Sequence, residues 1–509
     1  MNFNQIISKI KIPYEVVYGA SFIDEILFED IALDSRLVKE KTAFFAIKGK
    51  TLDGNLFIND SIKKGATIVV SSDLNFLSNF SSKLVDEKVL LIFSQEIHNL
   101  LIEFLQNLYS NLPSNIYAVT GTNGKTSVAE FCRQIFTIAG KKAASIGTLG
   151  ITCDYLDQTQ IQQTALTTPD IVSFYKNLFL LKKSGIDNVA VEVSSIGLEQ
   201  NRIGNVEISV GAFTNFTQDH LDYHKTMEEY FDCKMILFRS VLQKNSTAVI
   251  NSDIKEYDKI SEICKKRDLK VITYGCKATS EKSLRIKNIE QTFEGQKVIF
   301  NFLGEEYNFN LSISGDFQAY NAICALAIFL SKNICSKKQL EEILQNFHKL
   351  HAAMGRMQIA GVLPNKAQVF IDFAHSPDAL SNVLQLARKI TNKKVFVLFG
   401  CGGNRDNKKR AIMGKVASEL ADIVIVTDDN PRLEDAEKIR TEILQGCDLK
   451  KTFEISDRKV AITEAISMLQ SSDILILAGK GHEKYQIIGT EKVEFDEEKI
   501  VKNVVARIS

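Results

Sequence analysis

The stretch Tyr117-Ala118-Val119-Thr120-Gly121-Thr122-Asn123-Gly124-Lys125-Thr126-Ser127 constrains this chain more than any other. A short apolar run, Ile116 to Val119, leads into a glycine loop that ends in Lys125-Thr126. A helical pattern then runs from Ser127 to Ala139. Backbone N–H groups in such a loop, together with the positive end of the helix dipole, face an anion. A lysine at this position reaches the β- and γ-phosphates, and the threonine hydroxyl can hold Mg²⁺. Val119 stands where the usual pattern has glycine, five residues before Gly124, so the loop is a shorter variant. A nucleoside triphosphate is the expected substrate.

Alternation of strands and helices predicts an α/β chain. With 509 residues, two to four domains are expected, and three blocks are visible. Residues 1–110 hold strands Ala43 to Ile47, Thr67 to Ser71 and Val89 to Phe93, then a helix from Glu96 to Ser110, with Pro113 beyond it as a boundary. Residues 111–343 follow the phosphate loop with strands Val189 to Val193, Ser209 to Thr214 and Ala248 to Asn251. Helices Ile171 to Lys183 and Met227 to Leu242 alternate with them, predicting a doubly wound, mostly parallel sheet. Residues 285–314 read as added antiparallel strands, and a helix from Phe317 to Ser331 closes the block. Residues 344–509 form a second, Rossmann-like unit. Its strands are Val369 to Phe373, Val395 to Phe399, Ile423 to Thr427 and Ile474 to Ala478. Its helices are Ala379 to Lys389, Arg410 to Leu420, Asp435 to Gln445 and Lys459 to Leu469.

Composition narrows the partners. Basic and acidic residues balance at 62 each, which gives no support to a nucleic-acid partner. Nine cysteines occur singly without a C-x-x-C pair, arguing against a zinc knuckle and for a reducing compartment. The N-terminus lacks a signal-peptide pattern, and no apolar run nears the ~20 residues of a membrane span. A cytoplasmic protein without membrane insertion is expected, acting on small molecules as a monomer.

Chemistry-bearing groups cluster after strand ends, where ligands of open α/β sheets gather. Val191-Glu192-Val193-Ser194-Ser195 offers a carboxylate and two hydroxyls. The segment from Thr214 to His224 is dense in hard-metal and imidazole ligands, and Glu192 and His220 are candidates for Mg²⁺ beside the triphosphate. Lys234, on a helical segment, reads by itself as a solvated surface lysine. The third block adds Gly355-Arg356-Met357, Asp372 to Pro377, Gly400 to Asp406, Asp428 to Arg432 and Gly479 to Glu483. Acidic and basic groups mixed on one rim suit a small zwitterionic substrate.

In order, these motifs resemble the Mur ligase family over essentially the whole chain. The markers are Leu33-Asp34-Ser35-Arg36, Thr120 to Thr126, Thr167-Thr168-Pro169-Asp170, Asp372-Phe373-Ala374-His375 and Asp429-Asn430-Pro431-Arg432. The resemblance implies an N-terminal UDP-binding domain, a central ATPase domain and a C-terminal amino-acid-binding domain. It implies ATP-dependent addition of meso-2,6-diaminopimelate or L-lysine to a UDP-N-acetylmuramoyl dipeptide through an acyl phosphate, in peptidoglycan synthesis and hence cell-wall biogenesis, cell shape and division; Arg432, a guanidinium suited to the distal carboxylate, points to diaminopimelate. It assigns ATP contacts to Gly121, Thr122, Asn123, Gly124, Lys125, Thr126, Ser127, Arg356 and Asp372. Ser35, Lys50, Thr167, Thr168, Ser194, Gln200 and Arg202 match the UDP-muramoyl-peptide positions. Arg405, Asp429, Asn430, Pro431, Arg432, Gly479 and Glu483 match the site of the incoming amino acid. Lys125, Glu192, His220 and Lys234 match the catalytic set. Thr126, Glu192, His220 and Lys234 would hold Mg²⁺, with Lys234 matching a lysine carbamylated to N6-carboxylysine.

Three positions depart from the family pattern. Leu166 stands where some relatives have Asn, Ile196 where many have His, and Asn404 where Asp is common. The alternatives are a lysine-adding member of the family, a folylpolyglutamate synthase-like ligase and a nucleotide-dependent switch. A synthase of that type usually carries Gly-Lys-Gly where this chain has Gly124-Lys125-Thr126, and a switch has no need of Asp429 to Arg432. Neutralising the incoming amine calls for a base that the residues do not identify; His375 is a candidate contact only.

Overall fold

The computed structural model describes every residue except 1, 50, 51, 83, 85–87, 157–165, 222, 293, 294, 334 and 509. The chain forms two compact units. The first comprises Met1–Ser114, Tyr155–Asp187 and Asn201–Val206, and the second the remainder.

The first unit is built on a five-stranded sheet in the order Glu15–Tyr18, Leu90–Phe93, Ala66–Ser71, Thr42–Ala46, Asp30–Ala32. All pairs are parallel except the first. Thr42–Ala46 is buried throughout, as expected of a parallel strand covered on both faces. Phe104, on helix Ile97–Leu108, packs against Phe45 with ring centroids 5.2 Å apart. Helix Ile171–Lys183, read above as part of the central alternation, belongs to this unit. Phe179 meets the Tyr109 ring at 5.5 Å, and Lys176 reaches Asp30 at 2.5 Å. The helix starts where Asp170 accepts a hydrogen bond from the Ser173 N–H, a side-chain cap on the last residue of Thr167-Thr168-Pro169-Asp170.

The second unit carries a ten-stranded and a six-stranded sheet. In the larger, Asn115–Thr120 lies between Val210–Phe213 and Asn188–Glu192, both parallel to it. The chain leaves this strand towards one side of the sheet and later returns to the other. That makes its C-terminal end a topological switch point, the place where doubly wound sheets bind ligands. Leu284–Thr292, Gly295–Phe302 and Glu305–Leu311 extend the sheet as an antiparallel meander. Helix Lys125–Ile138 packs against helix Asp316–Lys332, where Phe136 and Phe329 meet edge to face at 5.1 Å. The segment read as one helix from Met227 to Leu242 is an α-helix to Ile236, followed by a π-helical turn, Leu237–Val241.

The smaller sheet runs Gln358–Val362, Gln368–Asp372, Ile474–Ala478, Val395–Phe399, Ile423–Val426, Thr452–Glu454. Every pair but the first is parallel. Its parallel strands therefore end at one edge, and the loops after Asp372, Phe399, Val426 and Ala478 gather there. Among the described residues no helix is long and apolar enough to cross a membrane.

Candidate active site

The phosphate loop follows the switch-point strand directly. Gly121 has φ +140°, and a Cβ there would stand 2.0 Å from Thr214 Oγ1, so only glycine lets the loop close on the neighbouring strand end. The loop is tied down by its own backbone: Asn123 N–H donates to Asn215 Oδ1 at 2.8 Å, and Thr214 Oγ1 donates to Asn123 O at 2.6 Å. Lys125 Nζ folds over the loop, donating to Gly121 O at 3.0 Å and Thr122 O at 2.8 Å. Burial pulls the Lys125 amine below its ordinary value. Thr126 Oγ1 donates to Glu192 Oε2 at 2.9 Å, and Thr148 N–H donates to Glu192 Oε1 at 2.8 Å. Burial raises the Glu192 carboxyl, offset in part by Lys125.

Lys234 is not a surface lysine. It is 1% exposed, and its Nζ donates to Gly121 O at 2.8 Å and lies 4.4 Å from the Tyr230 ring centroid. Burial, then the charge of Lys125, lowers its amine well below the usual range. Helical periodicity did not signal this, because the helix places Lys234 on a face covered by the phosphate loop. His220 has φ +54°, a left-handed backbone held within the Asn215–His224 loop. Its ring is pushed down to about 4 by burial and is therefore neutral near pH 7. Asp219 Oδ2 lies 3.6 Å from His220 Nε2 and 3.7 Å from His375 Nε2. Burial opposes ionisation of Asp219, yet the hydrogen bond from His375 and the nearby imidazoles hold it well below the carboxylate range.

The six-stranded sheet supplies the other wall. Arg356 Nη2 donates to Thr126 Oγ1 at 3.3 Å, and its guanidinium lies 4.5 Å from the Phe373 ring. Burial lowers the Arg356 guanidinium, and Asp372 opposes that shift. Asp372 accepts the N–H groups of Met357 and Ala374, both at 2.7 Å. Asn123 Nδ2 donates to Asp378 Oδ2 at 2.8 Å, tying the phosphate loop to helix Pro377–Ile390. Asp378 belongs to none of the sequence motifs; its first-turn position after Ser376-Pro377 is its one sequence signal.

Further along the same edge, Asn430 is a hub. Its Nδ2 donates to Glu483 Oε2 at 2.9 Å, and its Oδ1 accepts from Lys480 Nζ at 2.9 Å and Ile487 N–H at 3.0 Å. Arg432 has φ +54°, with Nη1 donating to Gly403 O at 3.0 Å. Burial and the charge of Arg405 lower the Arg432 guanidinium. Burial and Asp429 raise the Glu483 carboxyl. Gly479 has φ +113°, and a Cβ there would stand 2.7 Å from Asp429 Oδ2. Cations and carboxylates thus converge at one strand-end edge.

The remaining sequence-derived positions are spread over both units. Ser35, in the short helix Ser35–Leu37, accepts from Lys64 Nζ at its carbonyl, 2.9 Å away, and lies in the first unit. Thr167, Thr168 and Arg202 belong to the same unit, where Arg202 Nη1 donates to Thr168 O at 2.8 Å. Ser194 and Gln200 lie in the second, with Ser194 capping the short helix Ser195–Glu199 and Gln200 Nε2 donating to Tyr223 OH at 3.2 Å. Lys50 lies outside the described residues.

Family models match three consecutive stretches. Residues 28–109 match the Mur ligase family catalytic domain, 119–329 the Mur ligase middle domain, and 355–481 the Mur ligase glutamate ligase domain. The chain is 40% identical over 477 residues to the UDP-N-acetylmuramoyl-L-alanyl-D-glutamate--2,6-diaminopimelate ligase of Rickettsia montanensis, covering 93% of this chain and 95% of the relative. It is 41% identical over 470 residues to the ligase of the same name from Rickettsia bellii, covering 92% and 94%. Among solved structures, a ligase of that name superposes with TM-score 0.65 at 28% identity, covering 100% of this chain and 99% of the other. The fold alone is shared with Mycobacterium tuberculosis folylpolyglutamate synthase complexed with ADP, at TM-score 0.61 and 19% identity, covering 75% of this chain and 92% of the other.

Proposed function

Because the chain belongs to the Mur ligase family, an ATP-dependent amide-bond-forming family, we propose that it joins meso-2,6-diaminopimelate to UDP-N-acetylmuramoyl-L-alanyl-D-glutamate in peptidoglycan precursor synthesis. The names of the curated relatives support this substrate pair. The observation that carries the choice of amino acid is Arg432, partly buried and close enough to Arg405, Asp429 and Glu483 to feel their charges. A diamino acid with a distal carboxylate meets both signs of charge there. Lysine would leave the guanidinium pair without its anion, which argues against the lysine-adding alternative.

Residues 1–110 take the UDP moiety in this reading, 111–343 the ATP, and 344–509 the amino acid. Ser35, Lys50, Thr167, Thr168, Ser194, Gln200 and Arg202 hold the UDP-muramoyl dipeptide. Lys125 and the loop N–H groups cradle the triphosphate, with Arg356 closing on Thr126 from the opposite wall. A carboxylate oxygen of the D-glutamyl residue attacks the γ-phosphorus in line, and ADP leaves. The neutral amine of diaminopimelate then attacks the acyl carbonyl, the C–O bond to phosphate breaks, phosphate leaves and the amide nitrogen releases one proton. Such transfers are catalysed chiefly by positioning and electrostatics. Thr126 Oγ1 and Glu192 Oε2, 2.9 Å apart, are oxygen donors of the kind Mg²⁺ takes, and His220, neutral and in range of the Lys125 charge, offers an imidazole. Thr126, Glu192, His220 and Lys234 as its carbamate would hold the ion, which offsets charge on the transferring phosphoryl group. Glu483, held by the Asn430 Nδ2, orients the distal ammonium, and Arg405 and Arg432 the distal carboxylate. The protein acts in the cytoplasm as a monomer in this reading. The test is ATP turnover by the purified protein with UDP-muramoyl dipeptide and a panel of amino acids. Turnover should depend on both cosubstrates and favour meso-diaminopimelate; equal rates with lysine would refute the assignment.

A further inference from the structure

Two loops from different strand ends meet at the proposed amino-acid site: 400–406, after Val395–Phe399, and 427–434, after Ile423–Val426. They touch backbone on backbone. Gly403 N–H donates to Asn430 O at 2.9 Å, and a Cβ on Gly403 would stand 1.9 Å from Pro431 O. Arg432 Nη1 returns to Gly403 O at 3.0 Å. The next residue, Asn404, sits at φ +53°, a left-handed conformation that asparagine tolerates better than most side chains. That twist turns its backbone N–H and its side-chain oxygen onto the opposite loop. Asn404 Oδ1 accepts from Leu433 N–H at 3.1 Å, and Asn404 N–H donates to Glu434 Oε2 at 3.0 Å.

Glu434 is itself held from behind. Arg410 Nη1 donates to Glu434 Oε1 at 2.7 Å and Nη2 to Glu434 Oε2 at 2.8 Å, the paired geometry of guanidinium and carboxylate. Arg410 is 1% exposed, and its Nη1 also donates to Glu442 Oε2 at 2.8 Å. Arg405 follows Asn404 in sequence, and Arg432 precedes the Leu433-Glu434 pair that Asn404 grips. Both guanidinium-bearing chains pass Gly402, where a Cβ would stand 2.7 Å from Arg432 Nη1 and 3.7 Å from Arg405 Cγ, and the hydrogen bonds of Asn404 join the backbone segments that carry them.

We infer that Asn404 is a positioning residue that, backed by Glu434 and Arg410, sets the separation of Arg405 and Arg432 and so tunes the site to a distal carboxylate. The inference rests on the reading of those two arginines as the amino-acid site. Two like charges side by side repel, and a site that selects an anion between them needs their separation fixed in advance. Asn404 supplies two hydrogen bonds across the loops for that purpose.

Steady-state kinetics of N404A, N404G, N404D and E434Q in the full-length protein test this. N404A should raise KM for diaminopimelate about five- to thirtyfold, with KM for ATP and for the UDP-muramoyl dipeptide within about twofold. N404G accepts the left-handed backbone but lacks the side-chain acceptor, so it should show the same loss. N404D keeps an acceptor oxygen and should recover most of it. E434Q, which weakens the grip from behind, should also raise the diaminopimelate KM selectively. An unchanged diaminopimelate KM in both N404A and N404G overturns the inference, as does a common rise in all three KM values. Loss in N404A with none in N404G also overturns it, since backbone conformation alone would then account for the effect. The unmutated protein separates the two readings. If it uses lysine as well as diaminopimelate, the amino-acid assignment fails and takes this inference with it. If it prefers diaminopimelate and N404A matches it, only the role of Asn404 fails.

Discussion

Thr126 and Glu192 meet through a 2.9 Å hydrogen bond, although 66 residues separate them in sequence. The contact follows from sheet register: Val119 pairs with Glu192 across adjacent parallel strands, so the phosphate loop and the carboxylate leave the sheet at the same level. The Thr126–Glu192 part of the donor set proposed for the metal is thus built by the sheet and the helix that follows its loop. A site on rigid elements is positioned before its ligand arrives.

Lys125→Ala should lower ATP turnover by about a hundred- to a thousandfold, the usual effect of removing one preorganised charge-stabilising donor. Lys125 makes its hydrogen bonds to two loop carbonyls, Gly121 O and Thr122 O, and fills no apolar core. Its removal should therefore leave the circular dichroism spectrum and melting temperature near those of the parent. Near-normal ATP turnover in the variant would refute the role proposed for the loop.

Carbamate forms only from a neutral amine, and burial with the charge of Lys125 favours the neutral form of Lys234. Carbon-13 NMR of the protein in labelled bicarbonate and Mg²⁺ should show a carbamate resonance that vanishes in Lys234→Ala. That variant should be nearly inactive, with part of its rate restored by an added short carboxylic acid. A parent spectrum without the resonance, beside an active Lys234→Ala, would rule the modification out.

Replacing Arg432 by Ala should change which amino acid is used more than how fast ATP is bound. Leaving a charged partner unmatched at such a site costs on the order of 2–5 kcal/mol. That corresponds to a loss of roughly 30-fold to several thousandfold in kcat/KM for diaminopimelate, with lysine affected much less. The comparison is made by measuring kcat/KM for both amino acids in parent and variant; parallel losses would place Arg432 outside the discrimination.

Glu434 contributes to the acid limb of stability. Its hydrogen bonds from Arg410 hold the carboxyl at about 2, down from 4.5. A carboxyl depressed in the folded state contributes stability above its unfolded value, and that contribution disappears as pH falls through the folded one. Unfolding midpoints in urea should thus decline as pH drops from 4.5 towards 2, and E434Q should decline less over the same window. An identical acid limb in parent and variant would show that Glu434 does not contribute to it.

Much of the α/β layout could be read from local patterns. Strands Val395–Phe399 and Ile474–Ala478 are buried along their whole length, and continuous apolar runs announce them. Other elements give no such signal. Glu491–Glu494 is exposed at every position, so no periodicity marks it, and it forms because Tyr485–Ile488 pairs with it. The hairpin Ala143–Gly147 with Gly150–Cys153 likewise lies outside the strands that local patterns predict. Helix Ile171–Lys183 looks from sequence like any crossover helix; the unit it packs with depends on Tyr109 and Asp30, far away in the chain.

By itself, the sequence determined the phosphate loop, the order of strands and helices and the strand-end motifs, because each depends on residues within a few positions of one another. Glycine conformation, apolar period and helix-start chemistry act at that range. Tertiary structure alone decided that Lys234 is buried beneath Gly121, that Asp378 meets Asn123, and that Arg410 grips Glu434 behind Asn404. Burial and pairing of a charge depend on what the rest of the chain lays over it. A lysine on a helix has the same local pattern in solvent as under a loop, and only the packed fold distinguishes the two.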